Sequence, residues 1–323
     1  MQLPRRVFLH LAAGAATLQI VPQIARALDY PTRPVRWIVA YPAGGGTDIF
    51  ARLMGQALSH RLGQQFVIEN RAGAASNIGT EAVARAPADG YTLLESDMAA
   101  AINATLYDKL NFNFIRDIAV IGVIRTPLFM LVHPSVPAKT VPEFIAYAKA
   151  NPSKMSYSSG GIGNPLHMAF EMLKMMTGIE LTHVPYRGVA PALLDLLGGQ
   201  VQAMFAGVPS LEYIRDGRVR ALAVTTTTRN ELLPDIPSMA DFVSGYEVTN
   251  WFCAGLPKNT PAEIVDKLNE QINAIVTEPK MKIRLAEIAA TAITGSPDDF
   301  ERFLAEETKK WGKIVRSANI KLT

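Results

Sequence analysis

One cysteine, Cys253, stands in 323 residues, so no intramolecular disulfide can form, and no thiol lies near the amino terminus to take a lipid anchor. Long apolar runs are also missing: nothing reaches the roughly 18–20 uninterrupted residues that a membrane-spanning helix needs. Histidine is scarce. His10, His60, His133, His167 and His183 show no metal-ligand spacing, which argues against a zinc site. No serine lies in a G-x-S-x-G frame, so a hydrolase nucleophile elbow is absent.

An excess of charge is lacking too, once the amino terminus is set aside. Residues 1–27 read as an export signal: Arg5 and Arg6 form a positive head, Val7 to Ile20 a modest apolar stretch, and Ala25-Arg26-Ala27 a small-residue cleavage site after Ala27. The arginine pair before Val7-Phe8-Leu9 fits a twin-arginine signal, and the softness given by His10, Gly14 and Gln19 suits that route; an ordinary Sec signal is the alternative. This segment holds three of the 32 basic residues and no acid, so 29 Lys and Arg are left against 29 Asp and Glu. A formally neutral product offers no electrostatic case for nucleic-acid binding. The expected product is free in the periplasm.

What is present is an alternation of strand-like and helical patterns. Strands are expected at Val35–Tyr41, Gln65–Glu69, Tyr91–Glu95, Leu128–Val132, Met155–Ser158, Leu181–Val184, Val201–Ala206, Val219–Thr225 and Val248–Leu256. Helices fall between most of them, and from Pro261 the chain is helical, each helix with a proline in its first turn. Such alternation predicts an α/β fold with mainly parallel sheets.

Two stretches echo each other: "WIVAYPAGGGTDIFARLMG" and "MSYSSGGIGNPLHMAFEML" are each strand, glycine loop and amphipathic helix. Such loops aim bare backbone N–H groups at an anion. The first is no phosphate loop, since Gly46 is followed by Thr47-Asp48 in place of Lys-Ser/Thr, and Ile49 stands where a dinucleotide fingerprint needs its third glycine. What survives is a nest of N–H groups at Ala43, Gly44, Gly45 and Gly46, with Thr47 as the expected N-cap and Asp48 in the first turn. The second loop offers Ser158, Ser159, Gly160, Gly161, Gly163 and Asn164 as a carboxylate receptor, with His167 one turn into its helix, reaching the cleft or packing beside it. Arg187 could pair with a ligand carboxylate or with Asp195. Two such lobes would face each other across a cleft.

Several blocks together carry a resemblance: "YPAGGGTDIFARLMG", "NRAGAASNIGTEAVARAPADGYTLL", "YSSGGIGNPLHMAFEML", "HVPYRGVAPALLDLLGGQVQAMF", "LPDIPSM" and "WFCAGLPKNTPAEIV". In this order they resemble the Bug family, the substrate-binding proteins of tripartite tricarboxylate transporter systems, over about Tyr30 to Lys321. The resemblance implies a type II periplasmic binding-protein fold. Its two lobes would each be a mostly parallel sheet flanked by helices, 28–127 plus 252–323 and 128–251, joined by crossings near Pro127–Leu131 and Asn250–Ala254. It implies a monomer without cofactor or metal that binds a small carboxylate: a di- or tricarboxylate, an acidic amino acid or an aromatic acid. The carboxylate would lie between the loops Ala43–Asp48 and Ser158–Asn164, and membrane transporter subunits would receive it. Specificity is expected from Ser96, Asp97 and Met98, from Ala206, Gly207 and Val208, and from Tyr41 and Arg187.

Two departures from the family pattern stand out. The segment from Ala72 to Asn77 is poorer in glycine, and "LLESDMAAAIN" places Glu95 and Asp97 at a strand end. An Asp97 facing the cleft would disfavour a bare polyanion and favour a ligand with an amino or hydroxyl donor. Two other readings stay open at this point: a ligand sensor for a signalling receptor, and a carboxylic-acid-processing enzyme using His167 and Asp48.

Overall fold

The computed structural model describes residues 29–152 and 154–322. The export-signal reading of residues 1–27 lies outside the described residues. In chain order the elements are β1 (Val35–Val39), α1 (Gly46–Leu62), β2 (Phe66–Asn70), α2 (Asn77–Ala84), β3 (Thr92–Asp97), α3 (Ala99–Leu106), α4 (Phe114–Asp117), β4 (Ile118–Pro127) and β5 (Phe129–Val132). They continue as α5 (Val141–Ala150), β6 (Ser156–Ser159), α6 (Pro165–Thr177), β7 (Thr182–Pro185), α7 (Val189–Leu197), β8 (Ala203–Ala206), α8 (Leu211–Arg215) and β9 (Arg220–Val224). The last are β10 (Thr249–Pro257), α9 (Ala262–Thr277), α10 (Pro279–Glu287), β11 (Thr291–Ile293) and α11 (Pro297–Ser317).

Two sheets result, six strands in the order β11-β4-β10-β3-β1-β2 and five in the order β7-β6-β8-β5-β9. The expected α/β class holds, with mixed sheets. The parallel pairs are β2–β1–β3 in the first sheet and β7–β6–β8 in the second. The antiparallel pairs come from the strands that run between the sheets. β4 and β10 pair antiparallel along their whole lengths, and β5, which follows β4 after the single residue Leu128, enters the second sheet antiparallel to β8 and β9. β4 lies outside the expected strand set. Its run "IAVIGVI" is apolar without alternation because the strand is covered on both faces, all but one of its ten residues being buried.

α1 covers β1 with Phe50, Met54 and Leu58, four residues apart and all buried. It ends on Gly63 in the left-handed conformation, whose N–H donates to Ser59 O. α11 starts at a capping box made by Ser296 and Asp299 and packs back on the first sheet. There Trp251 and Trp311 both donate an indole N–H to Glu307 Oε2, at 2.8 and 3.0 Å. Pro279 and Pro297 sit in first turns as expected, whereas Pro261 precedes its helix as the N-cap. The glycine-poor segment keeps a left-handed backbone: Ala74, Ala75 and Ser76 have φ of 47°, 47° and 77°.

The two connections between the sheets lie side by side. Leu128 N donates to Thr225 Oγ1 at 3.0 Å, Thr225 N to Leu128 O at 2.9 Å, and Val248 N to Thr225 O at 3.1 Å. Among the described residues no helix is long and apolar enough to cross a membrane.

Candidate functional site

A cleft of about 660 Å³, counting its open mouth, lies between the lobes. Strand ends and helix starts converge on it. From the first lobe come Tyr41 to Ala43 and Gly45 to Thr47 of the loop after β1, Asp97 at the end of β3, Thr126 of β4 and Phe252 of β10, with Asn250 of β10 beside them at the crossing. From the second come Asn164, the Gly188–Pro191 turn into α7, and Gly207 to Pro209 after β8.

The first glycine loop is held from behind. Asp48 Oδ2 accepts from Gly44 N at 3.1 Å and Arg52 Nε at 2.9 Å, while Oδ1 accepts from an Arg52 terminal nitrogen at 2.9 Å and Asn70 Nδ2 at 3.0 Å. Burial works to raise the Asp48 pKa and is outweighed by these donors, so the carboxyl sits below its ordinary value. Thr47, expected as N-cap, lies inside the first turn; the N-cap is Gly45, whose side chain can offer no acceptor. The first amide groups of α1 therefore remain open toward the cleft. Gly46 is required there by close approach, because a Cβ would stand 2.7 Å from Phe252 Cζ.

The second glycine loop behaves differently. Asn164 lines the cleft but caps its own helix, accepting from Leu166 N at 3.0 Å, and Pro165 has no N–H to give. Ser158 Oγ donates to Ala192 O at 3.2 Å, and Ser159 Oγ is 2.7 Å from His183 Nε2. Both hydroxyls thus face the interior of the second lobe. Gly160 lies against Asn164, and a Cβ on Gly163 would meet Leu106 of the first lobe at 2.5 Å. His167 is buried, stacks on His183 with ring centroids 4.0 Å apart, and accepts from Gly163 N at 3.2 Å. Burial pushes its pKa down to about 4 and that of His183 to about 3, so both are neutral near pH 7.

The second lobe's open helix end is instead that of α7. Its N-cap, Gly188, also carries no capping side chain, and its backbone, with φ 121° and ψ 170°, is one that glycine alone adopts readily. A Cβ there would come within 3.1 Å of Pro42 Cγ, so the two lobes touch at this point.

Of the residues singled out from the sequence, Tyr41, Ala43, Gly45, Gly46, Thr47, Asp97, Asn164, Gly207 and Val208 line the cleft. Gly44 borders the neighbouring groove between α1 and α7, Ala206 is buried in β8, and Arg187 is exposed. Ser96 is buried beside Cys253 on the sheet face opposite to Asp97, as strand alternation requires. Thr126, Asn250, Phe252 and the Gly188–Pro191 turn were not singled out as site residues. The glycine directly before the helical pattern in "YRGVAPALLDLL" was the available signal for the last of these. Among the described residues no group of three or more His, Cys, Asp or Glu could hold a metal ion.

Among the described residues Asp97 is the one acid on the cleft wall. It is buried, and its Oδ1 accepts from Tyr41 Oη and Ala99 N, both at 3.0 Å. Burial pushes its pKa up to about 7 against the lowering effect of those two donors and of its own backbone N–H. Among the described residues no Lys, Arg or His lines the cleft.

A sequence model of the family described as tripartite tricarboxylate transporter family receptor matches residues 50–320. The chain belongs to this family. BugT of Bordetella pertussis is 35% identical over 300 residues, 91% of each chain. The solved structure of R. palustris Rpa4515 with adipate is similar, with a TM-score of 0.88 and 37% identity over 90% of this chain and 99% of that one. MatC from Rhodopseudomonas palustris with bound malate gives 0.83 and 27%, over 88% and 100%. The resemblance to the Bug family and the two-lobed periplasmic binding-protein fold are thereby shown. Members of this family are binding proteins, and the chain is not an enzyme. His167 and Asp48 accordingly carry structural duties: one supports the second glycine loop, the other the first.

Proposed function

We propose that the chain is an exported solute receptor that closes its two lobes on a small carboxylate in the periplasm and delivers it to a membrane transporter. One carboxylate would rest on the backbone N–H groups of Gly46 and Thr47 at the start of α1, with the start of α7 facing it from the other lobe. The observation that carries this reading is the pair of uncapped helix amino ends opening into one interlobe cleft. The adipate and malate bound in the related structures point to the same ligand class. The lobes would be 28–127 plus 252–323 and 128–251. They would rotate about the crossings near Pro127–Leu131 and Asn250–Ala254, beside which Leu128 and Val248 are knitted to Thr225.

Thermal unfolding of residues 28–323 against a panel of carboxylic acids tests it. A true ligand at about a hundred times its dissociation constant raises stability by about 2.7 kcal/mol, or several degrees. A flat response to every acid from a well-folded protein would sink the reading.

A further inference from the structure

A cleft that receives anions would be expected to hold a cation, and this one holds none. Its ionisable lining is Asp97 and Tyr41. The two donors that other residues supply to Asp97, Tyr41 Oη and Ala99 N, both fall on Oδ1, which leaves Oδ2 with no donor from another residue on a side chain that lines the cleft. An ionised Oδ2 would repel a second carboxylate, the outcome expected from the sequence. A protonated Oδ2 would instead be a hydrogen-bond donor, and the open helix ends already serve a first carboxylate. The donor on Asp97 has its natural use with a further anionic acceptor.

Resting on the carboxylate reading above, we propose that a dicarboxylic acid binds in the cleft together with one proton, carried on Asp97, whose Oδ2–H donates to a ligand carboxylate. The proton comes from solvent, and no covalent bond is made or broken on the ligand.

The groups facing Asp97 do not compete for this proton. Tyr41 is held well above its ordinary pKa, first by burial and then by Asp97 itself. Glu95, two residues back on the same sheet face, is likewise raised well above its usual value by burial and by Asp97. The Cys253 thiol on β10 is pushed up by burial, then by Glu95 and Asp97. α3, with the sequence AAAINATL, holds no ionisable residue, and the Asp48 of α1 is tied to Arg52. The Asp97 carboxyl itself is shifted to about 7, so it is ready to change state near neutral pH.

The sign follows from linkage. A bound carboxylate raises the Asp97 pKa, so affinity is full below the free-state value. It falls by about tenfold per pH unit as pH rises from the free toward the bound value.

The test is calorimetry on the mature protein with saturated dicarboxylates of four to eight carbons, in two buffers of different ionisation enthalpy, from pH 6 to 9. The tightest binder is expected to take up close to one proton per molecule at pH 8, with its dissociation constant flat below about pH 7 and rising about tenfold per unit above it. Asp97→Asn should still bind, since its amide donates at every pH, but without proton uptake and with a flat profile. The half-amide of the same acid, whose N–H donates to an ionised Asp97, should bind the native protein with no uptake. Dicarboxylate binding with no uptake and no pH dependence would overturn this proposal and leave the carboxylate reading intact. Failure of every acid to bind would overturn both.

Discussion

Gly188→Val leaves both lobes folded and raises the dissociation constant for the ligand at least a hundredfold, a loss of about 2.7 kcal/mol in binding. Two effects act together. The φ of 121° and ψ of 170° at this position are strained for any residue with a Cβ, at roughly 1–3 kcal/mol. The strain falls on the turn that aims the start of α7 into the cleft. The new side chain also enters the space of Pro42, where a Cβ alone already stands 3.1 Å from Cγ and 3.4 Å from Cδ. Pro42 belongs to the first lobe, so the wedge acts on closure and not on either core. Titration with the ligand identified by the melting panel, beside the unfolding temperature, checks this. Native affinity in the variant would show that the lobes do not need this contact.

The second large effect is at Asp48. Replacing it with Ala removes acceptors for Gly44 N, Arg52 and Asn70 Nδ2 in one step. The cost to stability is about 2 kcal/mol, discounted because half of the Arg52 side chain is in water and finds solvent. Affinity should fall further than this suggests, at least tenfold, because the glycine loop loses the buried group that fixes its open amides. Asp48→Asn retains an acceptor for Gly44 N and should recover part of the loss. Equal affinity in the native protein and both variants would mean that the loop holds its shape without Asp48.

How much of this was legible in the sequence differs from element to element. β1 and α1 were, because a β-type apolar run from Trp37 leads into three glycines and Ile49, Phe50, Leu53, Ala57 and Leu58 follow on one helical face. β4 was not: an apolar run buried on both faces has no period to read. That omission hid the length of the antiparallel ladder with β10, and with it Thr126 and Asn250, which face each other in register at the cleft. The second glycine loop shows another limit. Its composition suits an anion receptor, yet Ser158 and Ser159 are claimed by Ala192 O and His183, partners from chain segments that only the fold brings near. Gly188 had no marking beyond a glycine before a helix, and its contact with Pro42 depends on how two lobes meet. Asp97 was legible as an unusual acid at a strand end. Its burial, which decides its charge, was not.

The central claim is that a ligand carboxylate lies on the open amino end of α1 inside the closed cleft. A crystal structure of residues 28–323 with the tightest-binding dicarboxylate tests it most directly. A carboxylate oxygen is expected within about 2.7–3.2 Å of the backbone nitrogens of Gly46 or Thr47, with the second carboxylate on Asp97 Oδ2. A ligand held by Arg187, or seated in the groove beside Leu194 with the cleft empty, would contradict it.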